Sequence, residues 1–118
     1  MRDHTKLKVF ELADHLALSV YRESDSFPSA ERFGLQSQMR RAAVSVAANI
    51  VEGCARTTQT EYLRFVEIAY ASARELQYEI GLSGRLGFIS VDARRRLLRE
   101  STETAKALNG LLRALQKS

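Results

Sequence analysis

The stretch that decides the fold is "SVAANIVEGCAR", residues 45 to 56. Its small apolar side chains favour a closely packed helix, yet it carries Asn49, Glu52, Gly53 and Arg56. At 100° per residue, the polar side chains of this helix fall in one sector about 80° wide. Most of the remaining surface is apolar, so we expect the helix to be central, or sandwiched between its own bundle and another subunit. The polar stripe consists of Arg41, Ser45, Asn49, Glu52 and Arg56.

Apolar side chains recur every three or four residues along four segments, which predicts four amphipathic helices. The first is predicted from about Thr5 to Glu23 and the second from about Leu35 to Ala55. The third opens near Thr58, which has capping-box spacing to Glu61, and Ser90 is the predicted N-cap of the fourth. No run alternates with the period of a strand. The sequence therefore predicts an all-α fold, an antiparallel up-and-down four-helix bundle in a single domain, residues 1–118.

The helix around residues 45 to 56 is rich in small residues, and so is the predicted third helix around residues 69 to 73. Small side chains let two helix backbones approach closely, so we expect these helices to be neighbours. The charged N-terminus lacks the apolar core of a signal peptide, and no stretch reaches the ~20 apolar residues of a membrane span. We therefore expect a soluble, cytoplasmic protein.

The net charge of +4 is unevenly distributed along the chain. Residues 1 to 85 carry 11 Lys/Arg and 11 Asp/Glu, whereas residues 86 to 118 carry 7 and 3. Clustered cations favour phosphate binding, and Arg94 and Arg95 have no acidic residue four positions away. Arg96 does, so we expect it to form weak i,i+4 pairs on its own helix. Arg40 and Arg41 also lack an acidic neighbour three or four positions away. The predicted nucleic-acid-binding residues are Arg40, Arg41, Arg94 and Arg95.

Two interpretations of the polar stripe are open. In the first it is a structural network, in which Arg56 or Arg41 pairs with Glu52 and Asn49 bonds to a neighbouring helix. Such a network would fix helix register or oligomer geometry, because buried polar groups are costly unless bonded. In the second it is a surface for a ligand or for nucleic acid. The residues of this structural stripe or oligomer interface are Ser45, Asn49, Glu52, Gly53 and Arg56.

No catalytic constellation is found in the sequence. Di-iron bundles need Glu-x-x-His pairs, which are absent, and Cys54 has neither a disulfide partner nor a histidine close in sequence. Gly81, Gly84 and Gly87 follow a predicted helix rather than a strand, so they do not form a phosphate loop. We expect them to fray the end of that helix. The sequence thus predicts a protein that is not an enzyme, with no metal and no cofactor.

Residues 27 to 80, "FPSAERFGLQSQMRRAAVSVAANIVEGCARTTQTEYLRFVEIAYASARELQYEI", closely resemble the 23S rRNA intervening-sequence proteins, a four-helix-bundle family. The resemblance is most specific at Phe27-Pro28, at Gly34-Leu35 and in the segment "QMRRA" that starts at Gln38. It continues at Asn49-Ile50, Glu52-Gly53 and Arg56, and at "RF" (64 and 65) and "EL" (75 and 76).

The resemblance implies a homopentamer around a central channel. The family also resembles the pentameric accessory protein of diversity-generating retroelements, which implies binding to nucleic acid and to a reverse transcriptase. Our first hypothesis is therefore a non-enzymatic pentamer that binds structured nucleic acid, with RNA favoured, through its basic patches. The alternative is an oligomeric scaffold or adaptor for a protein partner such as a reverse transcriptase, without direct nucleic-acid binding.

Overall fold

The structure, a computed structural model, describes residues 2–117, and its α-helices form the predicted four-helix bundle. The bundle measures 45 × 22 × 20 Å. Short 3₁₀ turns precede α1 and α2, at His4–Lys6 and Ser29–Glu31. No strand occurs within residues 2–117, so the prediction of an all-α fold is confirmed. The helices are α1 (Lys8–Ser24), α2 (Leu35–Cys54), α3 (Gln59–Arg85) and α4 (Val91–Gln116).

Cross-helix contacts show that neighbouring helices run in opposite directions. Ser83 Oγ of α3 donates to Met39 Sδ of α2 at 3.0 Å, and the hydroxyls of Ser45 and Ser72 lie 2.8 Å apart. Residue numbers that increase along α2 are therefore paired with residue numbers that decrease along α3, so the two helices are antiparallel. The same inverse pairing is found between α3 and α4, where Gln77 contacts Thr102 and Gln59 contacts Leu115. Between α1 and α4, His15 contacts Glu100 and Glu23 contacts Arg96. On the α1 side of α2, Ser24 contacts Arg40 and Arg2 contacts Cys54.

The predicted N-caps of α3 and α4 are confirmed. Thr58 Oγ1 accepts the N–H of Glu61 at 3.2 Å, and Ser90 Oγ accepts that of Ala93 at 3.0 Å. Each bond satisfies one of the free N–H groups at a helix start. The first helix begins later than predicted, at Lys8, because Asp3 caps a separate 3₁₀ turn.

The core lies along the bundle axis and contains the apolar stripes of all four helices. Fully buried members include Leu16, Met39, Ile50, Leu76 and Leu108. Burying one such side chain contributes roughly 1.5–3 kcal/mol, so this core provides most of the driving force for folding. The single cysteine, Cys54, lies in the core as a buried free thiol.

The helices α2 and α3 approach each other closely at Gly53. A Cβ built on Gly53 would lie 2.9 Å from Phe65 Cβ and 3.2 Å from Tyr62 Cδ1. A side chain at this position would therefore push the two helices apart. The prediction that α2 and α3 are neighbours is confirmed, and the α2–α3 interface is the most extensive in the bundle.

The end of α3 differs from the prediction of a frayed helix. The helix continues past Gly81 and Gly84 to Arg85 and is closed by two backbone bonds, Phe88 N–H to Ser83 O (2.9 Å) and Gly87 N–H to Gly84 O (3.1 Å). This is the Schellman arrangement. Gly87 has φ of +77°, a conformation that glycine adopts without a Cβ penalty. The helix end is ordered because these bonds satisfy carbonyls that would otherwise be free.

Candidate nucleic-acid interface

An open groove of about 790 Å³ runs along α2 from Gln36 to Asn49. Its walls come from the end of α1, the turn before α2 and the outer face of α2. The volume falls within the range of sites that hold small ligands. The lining residues are Tyr21, Arg32, Phe33, Gln36, Ser37, Arg40, Arg41, Val44, Ser45, Ala48 and Asn49.

The charged residues that line the groove are all basic. Three arginines line it, Arg32, Arg40 and Arg41, and none of its lining residues is acidic. A concave surface with one sign of charge concentrates ligands of the opposite sign. The groove thus has the electrostatics of an anion-binding surface.

Arg40, one of the predicted nucleic-acid-binding residues, joins α2 to the end of α1. Its Nε donates to Ser24 Oγ at 2.8 Å, and its Nη2 donates to Asp25 Oδ1 at 2.9 Å and to the carbonyl of Tyr21 at 3.1 Å. The guanidinium also lies 4.6 Å from the centre of the Tyr21 ring. We call this set of contacts the Arg40 clasp. Arg40 therefore shapes the wall of the groove, and three of its five N–H donors are engaged within the protein.

Arg41, the adjacent predicted residue, is exposed and points into the groove. No hydrogen bond or ion pair involves its guanidinium within residues 2–117. Its donors are therefore free to bind an external acceptor, in contrast to those of Arg40. Arg41 is the predicted basic residue best placed to contact a phosphate in this groove.

The groove residues that sequence reasoning missed include Tyr21, Arg32 and Phe33. Tyr21 lies near the end of α1 and is 44% exposed. Arg32 and Phe33 lie between the 3₁₀ turn and α2. The only available signal for them in the sequence was an arginine next to an aromatic residue.

The remaining two predicted basic residues, Arg94 and Arg95, are exposed at the start of α4. The stem of Arg94 lies over Gly84 of α3, where an added Cβ would meet Arg94 Cδ. The α1–α2 and α3–α4 connections meet at one end of the bundle, where Ser26 Oγ donates to Phe88 O at 3.1 Å. The fold thus brings both predicted arginine pairs to this end, on α2 and α4. We call it the basic end.

Arg96 does not pair as the sequence predicted. Its guanidinium bonds to Glu23 of α1 rather than to an acidic residue of α4. This bond and the charge of Glu23 raise the pKa of Arg96. The contact is between helices because α1 and α4 are antiparallel neighbours, which periodicity alone did not predict.

The polar stripe of α2 makes two separate groups of contacts. Near the groove, Asn49 Nδ2 donates to the carbonyl of Ser45 at 2.8 Å and to its hydroxyl at 3.0 Å. That hydroxyl also meets Ser72 of α3. The bond to a neighbouring helix that was predicted for Asn49 is thus made by Ser45, while the Asn49 amide donates within its own helix.

The second half of the stripe lies at the end of α2. Arg56 Nη2 donates to Glu52 Oε1 at 2.7 Å, which is the ion pair predicted for a structural network. The guanidinium also lies 4.8 Å from the centre of the Phe65 ring of α3. Gly53 is buried against α3, as described above. At this end the stripe thus contacts its own helix and α3, and its role as a structural network or oligomer interface stays a prediction.

The comparison with known proteins identifies the family. Residues 5–110 match the family described as 23S rRNA-intervening sequence protein. The chain belongs to this family. A similar solved structure is that of a protein with unknown function from the S23 ribosomal protein family of Bacteroides thetaiotaomicron VPI-5482. It has a TM-score of 0.82 and 22% sequence identity, with coverage of 88% of this chain and 97% of that chain. No curated protein matches the chain.

The likeness to the Bacteroides protein shows the fold of this intervening-sequence protein and no more, given its low identity. Neither the family nor that protein is described as an enzyme. Within residues 2–117, no three His, Cys, Asp or Glu side chains come together to hold a metal ion. No helix in the same range has the length and apolar character needed to span a membrane.

One titratable group of this intervening-sequence protein lies away from the groove in a low-dielectric position. Glu79 of α3 is 4% exposed, and its Oε1 has no hydrogen-bond partner among the described residues. Burial, followed by a hydrogen bond and charge repulsion from Glu75, raises the pKa of Glu79 to about 8. Glu79 is thus mainly protonated at neutral pH, since the neutral form avoids the cost of burying a charge.

Proposed function

We propose that this protein binds nucleic acid, with RNA favoured, through the groove at its basic end, and acts without catalysis. The observation that carries the proposal is the lining of the groove, which has no carboxylate and contains three arginines, of which Arg32 and Arg41 have no ion-pair partner within residues 2–117. Nucleic-acid affinity depends mainly on cations placed against phosphates. The family description, which refers to 23S rRNA, supports RNA as the favoured partner.

Individual arginines have different roles in the proposal. Arg41 and Arg32 contact phosphates in the groove, while Arg40 holds the groove wall in place through the Arg40 clasp. Arg94 and Arg95 extend the basic surface across the same end of the bundle. The stem of Arg94 is fixed against Gly84, which leaves its charged tip at the surface.

We further propose that the protein assembles as a homo-oligomer, which the resemblance implies to be a pentamer. Apolar side chains outside the core support assembly, since Val51 of α2 and Ile68 of α3 are 37% and 39% exposed. The charge of +4 per chain is modest. Repetition of the basic end in an oligomer would strengthen a weak patch by multivalency.

The test is the binding of fluorescent fragments of ribosomal RNA to nuclease-treated protein across about 50 to 200 mM salt. We expect log affinity to fall linearly with log salt concentration, and RNA to be preferred over random duplex DNA. Arg41→Ala should weaken binding and reduce the slope of log affinity against log salt concentration by about one, as expected for the loss of one phosphate contact. Arg113→Ala, which removes an exposed charge from the opposite end of α4, is the matched control and should have little effect.

The absence of binding at low salt would contradict the proposal. In that case the alternative, a scaffold or adaptor for a protein partner such as a reverse transcriptase, would replace it. Equal losses from Arg41→Ala and Arg113→Ala would show a general charge effect and would exclude the groove as the binding site. Arg40→Ala is unsuitable for this test because it also breaks the Arg40 clasp.

A further inference from the structure

Phe33 is the most exposed large apolar side chain described, with 91% of its surface in solvent. It lies at the rim of the groove, which also contains the half-exposed Tyr21 and Val44. A phenylalanine usually buries 150–250 Å² of surface. An aromatic ring that is left in water beside a groove is a typical feature of a binding surface.

The segment that presents Phe33 is held in place by backbone hydrogen bonds. Before the ring, Glu31 N–H donates to Pro28 O at 2.9 Å and Arg32 N–H to Ser29 O at 3.2 Å. After it, Gly34 N–H donates to Glu31 O at 3.0 Å, and the Glu31 carboxylate accepts the N–H of Leu35 at 3.2 Å. Because the backbone is fixed on both sides, little conformational entropy is lost when a ligand contacts the ring.

The segment is also anchored to the core. Phe27 is buried, and its ring centre lies 5.4 Å from that of Phe88 in the α3–α4 connection. Phe33 therefore projects from a connection that is packed against the bundle at both ends. The exposure of Phe33 is a property of an ordered segment.

The charges around Phe33 identify the chemistry of its partner. Arg32 is adjacent in sequence, Arg41 lies in the same groove, and no acidic side chain lines the groove. The carboxylate of nearby Glu31 is bonded to the N–H of Leu35. Proteins that bind single-stranded nucleic acid combine a basic groove with aromatic rings on which bases stack. A duplex offers phosphates but not base faces, because its bases are already stacked on each other.

We propose that the groove binds unpaired nucleotides, with one base stacked on the ring of Phe33 and the adjoining phosphates bound by Arg32 and Arg41. This inference rests on the proposed function and specifies its substrate class. The arginines contribute affinity for any nucleic acid, whereas Phe33 contributes only where a base is free to stack. The protein therefore prefers single-stranded RNA, or loops and ends of folded RNA, to a continuous duplex.

The test compares the binding of fluorescent oligouridine and of a blunt RNA duplex of equal length to the full-length protein. Phe33→Leu keeps an apolar side chain but removes the flat ring, and we expect it to weaken oligouridine binding about 5-fold or more, since stacking contributes ≈ 1–3 kcal/mol per base. The affinity of the Phe33→Leu variant for the duplex should equal that of the wild type. Phe33→Trp should retain single-strand affinity, and Arg41→Ala should weaken the binding of both probes.

Three outcomes would overturn the inference. If Phe33→Leu changes neither the affinity for oligouridine nor that for the duplex, while Arg41→Ala lowers both affinities, the stacking role is wrong and the proposed function stands. If the wild-type protein binds neither probe, the proposed function itself fails. If Phe33→Leu reduces the mass of the assembly in light scattering, the ring belongs to an interface with a second copy of the chain. Thermal unfolding of each variant confirms that the bundle is intact.

Discussion

Arg40 and Arg41 are adjacent in the sequence but have different surroundings. Neither has an acidic residue within four positions, so sequence alone predicted the same role for both. In the structure, Asp25 lies 15 residues before Arg40 and pairs with it through the α1–α2 connection. Such a partner depends on how the chain folds back. Sequence reasoning therefore identified the basic pair, but only the fold shows that Arg41 is the free cation.

The buried carboxyl of Glu79 predicts a pH dependence of stability. The pKa of Glu79 is about 8 in the folded chain, against an ordinary value of 4.5. Between these values the unfolded chain releases a proton that the folded chain keeps. The folded state thus binds more protons, and its stability falls as pH rises through this window. Above pH 8 the full cost of burying the charge is present, because Glu79 is then ionised in both states but is buried only in the folded one.

We expect Glu79→Gln to abolish the decline in stability between pH 4.5 and about 8, and to be more stable than the wild type above pH 8. Glutamine has nearly the shape of the protonated acid and cannot ionise. Urea unfolding at several pH values measures the effect, expected on the order of a few kcal/mol at most. Glu67→Gln, at an exposed glutamate of α3, is the matched control. Parallel pH curves for the wild type and Glu79→Gln would show that Glu79 does not titrate as described.

At the scale of helices, periodicity and caps predicted α2, α3 and α4 closely because those signals are local. Thr58 and Ser90 cap the helices for which they were proposed. The glycines were harder to interpret. Gly81 and Gly84 remain helical, whereas Gly53 is required by the contact between α2 and α3. A glycine's role depends on what lies opposite it, which a single sequence does not show.

Two glycine substitutions test this account of helix packing. Gly53→Ala places a Cβ 2.9 Å from Phe65 Cβ, and overpacking of this kind costs about 1–3 kcal/mol, more than the ~1 kcal/mol that alanine contributes in a helix. We expect a net loss of stability. Gly110→Ala in α4 meets nothing within 4 Å and should stabilise by about 0.5–1 kcal/mol. Thermal melts compare the two variants, and a stabilised Gly53→Ala protein would contradict the close approach.

At the scale of the whole molecule, the fold combines features that are distant in the sequence. Arg41 and Arg94 lie on α2 and α4, yet both are at the basic end because the α1–α2 and α3–α4 connections meet there. The sequence predicted the four-helix bundle and both arginine pairs. It did not predict the groove, because the walls of the groove come from α1, α2 and the turn between them.

The proposed assembly makes a separate prediction at this scale. Native mass spectrometry of the wild-type protein should give a homo-oligomer, with five chains as the expected number. Val51→Glu places a charge on an exposed apolar position of α2 far from Phe33. It should lower the mass of the assembly without unfolding the bundle. Lys106→Glu, an exposed substitution on α4, is the control. A monomeric wild-type protein would contradict the proposed assembly.

The central claim is that RNA lies in the groove at the basic end. Photo-crosslinking with 4-thiouridine RNA, followed by mass spectrometry of the linked peptides, tests it most directly. The claim predicts adducts on residues 32 to 41 and on Tyr21, and these should be lost at high salt and in the Arg41→Ala variant. Crosslinks confined to the opposite end of the bundle, around Lys6 and Lys8, would contradict the claim.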